Sequence, residues 1–122
     1  MNYRKLLAEI LLYCSISSIK YQTLLKNEGY AVCLIKPQFE AGKENVGKKG
    51  VVRDPKIHKM VLDNFVSLVN SLGFRILGLT FSPVKGPEGN IEFLAHLTLA
   101  DTVGIEPDTE AVVTQAHNTL KG

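Results

Sequence analysis

Cysteine is nearly absent: the 122 residues hold two, Cys14 and Cys33. They form no Cys-x-x-Cys pair and have no histidine close by, which excludes a disulfide scaffold and a thiolate zinc site and suits a reducing cytoplasm. Long apolar runs are missing too, since none approaches the roughly 18 residues that a membrane helix needs. A clean alternating pattern of the kind that builds a transmembrane barrel is also lacking. There is no internal repeat and no low-complexity stretch. Charge of one sign is scarce: 14 Lys and Arg against 12 Asp and Glu leave a net +2. So small an excess does not by itself argue for nucleic acid, and any such argument rests on where the lysines sit.

What remains is globular. Apolar residues make up 45% and charged residues 21%, and the length suits one compact domain but not two. The opening words "MNYRKLLAEILLYCSIS" have the basic start and leucines of an export leader. Glu9 inside the apolar stretch and the bulk of Tyr13 before the cysteine speak against one. The plainer reading is an amphipathic helix over 4–13, with Leu6 and Ile10 on its buried side. A second helix over 18–28 stops at Gly29.

From Tyr30 the pattern changes. "YAVCLI", Tyr30 to Ile35, is apolar throughout, which predicts a strand covered on both faces, as in the parallel sheets of α/β folds. "DPKIHKMVLDNFVSLVNSLGF" predicts a helix, with Asp54 as its cap and Pro55 in the first turn. Ile57, Val61, Phe65, Leu68, Val69 and Leu72 form its stripe, and Gly73 its stop. "FRILGLTF", 74–81, and "IEFLAHLTL", 91–99, predict two more strands. In the last, Ile91, Phe93, Ala95, Leu97 and Leu99 share one face. A weaker helix is expected over 106–121. Strand, crossover helix, strand implies a parallel pair, although the short loop before the last strand also suits an antiparallel return. The expected class is α/β: about three strands in one sheet with flanking helices, resembling part of something larger. Three segments follow: a helical one over 1–29, the sheet-bearing one over 30–100 and a tail helix over 101–122.

Lys36 stands where the first strand ends. Pro37 holds it in an extended conformation, and ligands of open α/β sheets bind off such strand ends. It reads either as a base or as a lysine snorkelling from the sheet edge. The following loop contains "GKENVGKK", one residue short of a nucleotide phosphate loop. Lys49 occupies the place of the magnesium-holding hydroxyl, and no helix follows at once. Lys43, Lys48, Lys49 and Arg53 instead suit a phosphodiester backbone, or, diluted by Glu40, Glu44 and Asp54, a solvated loop. Glu92 lies opposite the five apolar residues of its strand, with Leu94 and His96. It reads as a partner for Lys36 or as a glutamate on a solvated face. His58 and His117 read as surface residues, and His96 as a packed sheet histidine.

The words "LIKPQFEAGKENVGKKGVVRDP" and "LGFRILGLTFSPVKGPEGNIEFL", with the helix between them, resemble the haemolysin A (TlyA) family of FtsJ-like, S-adenosylmethionine-dependent RNA 2′-O-methyltransferases. The resemblance spans roughly Ala31 to Leu97. It implies a Rossmann-like domain whose chemistry uses a Lys-Asp-Lys-Glu tetrad. The second lysine, in the "KPQFE" word, is Lys36 here, and the glutamate, in the "GNIEF" word, is Glu92. The resemblance thus implies Lys36 as base, Glu92 as its orienting partner and the basic loop facing RNA.

The departures are as specific. The glycine-rich cofactor loop, the tetrad's first lysine and the small RNA-binding domain of the family have no counterpart in these words. The nearest trace of the family's "SFISLK" word is "SISSIK", Ser15 to Lys20, which puts Tyr13 where the aspartate is due. The chain therefore reads as the back half of a methyltransferase with an altered beginning. It is expected not to bind S-adenosylmethionine alone and to be inactive alone. Its expected partner is ribosomal RNA, and its compartment the cytoplasm. The competing expectation is a non-enzymatic RNA-binding or protein-interaction module that dimerises through an exposed sheet edge.

Overall fold

The structure, a computed structural model, describes residues 30–121. The helices expected over 4–13 and 18–28, with Tyr13, Cys14 and the Gly29 stop, lie outside the described residues. Strand β1 (Tyr30–Ile35) leads into a short helix α1 (Pro37–Glu40), and two 3-10 turns (Lys43–Asn45 and Lys48–Gly50) precede helix α2 (Pro55–Ser71). Strand β2 (Arg75–Phe81), a third turn (Pro87–Gly89), strand β3 (Phe93–Thr98) and helix α3 (Thr109–Thr119) complete the order.

The three strands form one sheet in the order β1-β3-β2, and β3 is antiparallel to both neighbours. β1 and β2 therefore run in the same direction, as a crossover through α2 implies, but they do not pair. The expected parallel pair is corrected for a topological reason. Residues 82–92 turn the chain straight back from β2, and neighbours joined by a short connection pair antiparallel. The returning strand takes the slot between the other two. Phe93 registers with Ile35 on one side and Phe81 on the other, and Leu97 with Ala31 and Ile76.

One face of this sheet is the core. Ala31, Cys33 and Ile35 of β1, Ile76 of β2, and Phe93, Ala95 and Leu97 of β3 are all buried in one cluster with residues of α2 and α3. The other face is half open: Val32 is 39% exposed, and Tyr30 and His96 are exposed as well. β1 is thus an alternating strand of the antiparallel kind, not one covered on both faces.

α2 begins as expected. The Asp54 carboxylate accepts from the Lys56 amide at 2.9 Å, Pro55 occupies the first turn, and Gly73 takes φ +89° just past the end. Its buried stripe is rotated from the expected one: His58, Val61, Leu62 and Val69 are buried, whereas Leu68 is 49% exposed. His58, expected at the surface, has no exposed area.

An imidazole sits in an apolar stripe only if both ring nitrogens find partners. His58 Nε2 faces the Val52 carbonyl at 3.1 Å, so it must carry the proton and donate. Nδ1 is then an acceptor, and His117 Nε2 donates to it at 2.7 Å. The His58 ring also meets Phe93 edge-on at 5.6 Å between centroids. His117, also expected at the surface, is half-buried on the last turn of α3. A second tie joins the same helices: Asp63 of α2 accepts from Lys59 Nζ at 2.7 Å and from Thr109 Oγ1 at 2.6 Å. α3 is thus fastened to α2 at both of its ends. No helix among the described residues is long and apolar enough to cross a membrane.

Burial pushes the His58 imidazole down to about 4, and His117 beside it acts in the same direction, against the Val52 carbonyl and Asp54. Burial, then Lys85, also lowers His117. Both folded values lie below the ordinary 6.5, so on acidification the unfolded chain takes up protons that the folded chain refuses. Stability contributed by the neutral pair is complete above that value and drains away as pH falls towards about 4. The thermal midpoint is expected to drop across this window in a scan of melts against pH. A midpoint that stays flat there contradicts a buried neutral pair.

Candidate functional site

The ends of β1 and β3 that lie side by side define the site. The last register pair is Ile35 with Phe93. One step further along each strand come Lys36 and Glu92, so both stand at the same end of the sheet, on the face opposite Ile35 and Phe93. Lys36 has extended angles (φ −111°, ψ 99°) and is half-buried, as the following proline dictates. Glu92 is only 6% exposed, so it does not sit on a solvated face. Its carboxylate accepts from Gln38 Nε2 at 3.1 Å, and its backbone carbonyl from the Ser82 amide at 2.8 Å. Lys36 Nζ lies 5.9 Å from the centre of the Phe39 ring. Of the "KPQF" side chains, Gln38 holds the Glu92 carboxylate, while the Lys36 ammonium lies over the exposed Phe39 ring.

Two turns of the same build frame this end. Gly47-Lys48-Lys49-Gly50 closes with the Gly50 amide on the Gly47 carbonyl at 3.1 Å and the Gly47 amide on the Val51 carbonyl at 3.0 Å. Gly86-Pro87-Glu88-Gly89 closes likewise, Gly89 on Gly86 at 3.1 Å and Gly86 on Asn90 at 2.8 Å. In each the third residue takes the left-handed region, Lys49 at φ 70° and Glu88 at φ 67°, which costs a residue with a Cβ about 1–2 kcal/mol. Asn90 joins the turns. Its Oδ1 accepts from the Val52 amide at 2.9 Å, and its Nδ2 donates to the Gly50 carbonyl at 2.8 Å.

The four expected RNA contacts do not form one stripe. Lys48 and Lys49 sit on the exposed first turn, and Arg53 folds back beside Gly47. Arg53 also lines a cleft of about 470 Å³ with Lys85, Lys121, Glu88 and the two paired histidines. Lys43 lies apart from them, in a second hollow of about 460 Å³ with Gln38, Phe39, Gly42 and Val46.

Lys36 and the buried Glu92 carboxylate thus stand at one end of the sheet, and comparison with known proteins gives the class of the chain. The FtsJ-like methyltransferase family matches residues 8–99, and the chain belongs to it. "Putative rRNA methyltransferase YqxC" of Bacillus subtilis (strain 168) is 50% identical over 105 residues, covering 82% of this chain and 37% of that protein. "Hemolysin A" of Brachyspira hyodysenteriae is 44% identical over 75 residues, 62% of this chain and 31% of its own length. A solved structure, "Putative hemolysin from Streptococcus thermophilus", superposes with a TM-score of 0.76 at 43% identity, covering 83% of this chain and 37% of that one. The chain thus spans about a third of the length of the relatives it matches.

The family implies S-adenosylmethionine, whose reactive sulfur is cationic. Neither of the two hollows is lined to suit it. The 470 Å³ cleft presents Arg53, Lys85 and Lys121 against the one carboxylate of Glu88, and the 460 Å³ hollow offers Lys43 and no acid.

Sequence reasoning singled out Lys36 and Glu92, which stand at one sheet end, but not Gln38, Asn90, Gly86 or the pairing of the two histidines. The available signals were spacing and adjacency. His58 stands four residues before Leu62, on the apolar stripe, and Gln38 lies two residues past the strand-tip lysine. Gly86 left no such signal, because its reason is long-range: a Cβ there would collide with both carboxylate oxygens of Glu92. Its φ of −69° is open to any residue, so the collision is the whole penalty. Gly86→Ala is therefore expected to cost about 1–3 kcal/mol in denaturant melts. That cost is expected to vanish in a Glu92→Ala background. An equal cost in both backgrounds would show that Gly86 does not position Glu92.

Proposed function

We propose that this chain carries the acceptor side of an RNA ribose 2′-O-methyltransferase site, with ribosomal RNA as the substrate class. The observation that carries this reading is the convergence of Lys36 and Glu92 at one sheet end, with the carboxylate buried and held by Gln38. In this reading the Lys36 amine takes the proton as the ribose O–H bond breaks, and Glu92 orients the amine. Gln38 keeps the carboxylate from turning towards solvent. Lys43, Lys48, Lys49 and Arg53 hold the phosphodiester backbone around the ribose, which supplies alignment and not chemistry.

A lysine works as a base only when its amine is neutral, and a like-charged neighbour favours that state. The words that carry the resemblance hold no counterpart for the tetrad's first lysine, and neither hollow is lined to suit the methyl donor. The 122-residue chain alone is therefore proposed to bind RNA without transferring methyl groups. The alternative, a module that pairs through its sheet edge, has less support at β2. There the Ile105 amide already occupies the Ile76 carbonyl at 2.8 Å, and Gly104 packs on the Ile76 backbone.

Filter binding with ribosomal RNA tests the reading. Changing Lys43, Lys48 and Lys49 together to glutamate is expected to weaken binding by about tenfold or more at low salt. Unchanged affinity contradicts a phosphodiester role for the loop. Calorimetric titration with S-adenosylmethionine is expected to give no heat of binding. Micromolar affinity contradicts the acceptor-side reading, because the chain would then hold the donor as well.

A further inference from the structure

Phe39, 67% exposed, is the most exposed aromatic side chain among the described residues. It belongs to α1, directly after the strand-tip lysine, and it walls the 460 Å³ hollow with Gln38, Gly42, Lys43 and Val46. Three features of the ring and the hollow bear on what covers the ring. Lys36 Nζ lies 5.9 Å from the ring centre, so a cation borders the aromatic face. Lys43 supplies a second cation on the hollow's other wall. Gln38 Oε1 is buried and has no hydrogen-bond partner among the described residues, while its Nε2 is committed to Glu92. The surroundings of the ring thus hold an apolar face, one ammonium over the ring, a second in the hollow and one unmet acceptor behind it.

A single apolar side chain would match the ring face alone. An unpaired nucleotide matches all three: a base for the ring, phosphates for the lysines and an amino or hydroxyl hydrogen for the glutamine oxygen. We infer that Phe39 is a stacking platform for an unpaired nucleobase of single-stranded RNA, next to the ribose presented to Lys36. The inference rests on the proposed RNA reading and sharpens it: the substrate is a splayed-out single strand and not a helix. Glu40 and Glu44 on the same segment oppose the phosphates, so the ring and not net charge supplies the larger part of the grip at this spot. Stacking depends little on base identity, because every base has an aromatic face.

The chain contains no tryptophan, so Phe39→Trp installs a lone fluorescent reporter at an exposed position where the core is undisturbed. The probes are a short single-stranded RNA of mixed sequence, the same strand in a duplex, and a ribose-phosphate chain without bases. Binding is followed in parallel by anisotropy of labelled probes. The single strand is expected to quench the Phe39→Trp emission, while the duplex and the baseless chain leave it unchanged. Phe39→Ala is expected to weaken single-strand binding about 5- to 150-fold, and Phe39→Tyr to retain it. If the single strand binds by anisotropy, yet the emission is unchanged and Phe39→Ala binds as tightly as the parent, the platform is overturned and the RNA reading stands. If none of the three probes binds, both fall. An emission that shifts to the blue with protein concentration in the absence of RNA makes Phe39 a protein contact and also overturns the platform.

Discussion

Asn90 is the interaction on which the rest of this end of the molecule depends. It is almost wholly buried, and it spends its amide on backbone groups some forty residues away, Val52 and Gly50. Removing it would leave the buried Val52 amide unpaired, at a cost of about 1–3 kcal/mol. The consequence is wider than one bond. Val52 also receives the His58 proton, His58 receives the His117 proton, and His117 is part of α3. A continuous chain of hydrogen bonds therefore runs from the turn before β3, across the loop after α1, to the last helix. Partnered throughout, such a buried network sets one arrangement of the loops against the sheet.

The paired turns carry the same logic in backbone form. Each spends a left-handed lysine or glutamate to reverse within four residues, and each closes on itself before Asn90 joins them. Strain of that kind persists only where the surroundings over-determine it, and Asn90 supplies that constraint. What the strain obtains is position. The first turn is tied through its Gly50 carbonyl to Asn90, two residues before Glu92, and Gly86 of the second lies so near Glu92 that only a hydrogen fits between them.

Much of this was legible in the sequence, for local reasons. The Asp54-Pro55 start and Gly73 stop of α2, the shared face of Ile91, Phe93, Ala95 and Leu97, and the strand-tip lysine all follow from neighbours within a few residues. What escaped depends on partners far along the chain. An apolar run such as "YAVCLI" does not say which of its faces is covered, so the exposure of Val32 was hidden. The insertion of β3 between β1 and β2 is a choice among pairings of similar local merit. His58 was misjudged for its polarity, although its spacing with Leu62, Phe65 and Val69 puts it on the buried stripe. Strand alternation sets Glu92 opposite Phe93, while its burial beside Gln38 and Gly86 depends on distant residues.

The central proposal is that Lys36, Glu92 and the two framing turns belong to one region that receives RNA. Amide chemical-shift mapping of the chain during titration with a short single-stranded RNA tests it most directly. The account predicts perturbations gathered at residues 36–43, 47–53 and 86–92. Perturbations confined to the outer faces of α2 and α3, away from that end of the sheet, would contradict it.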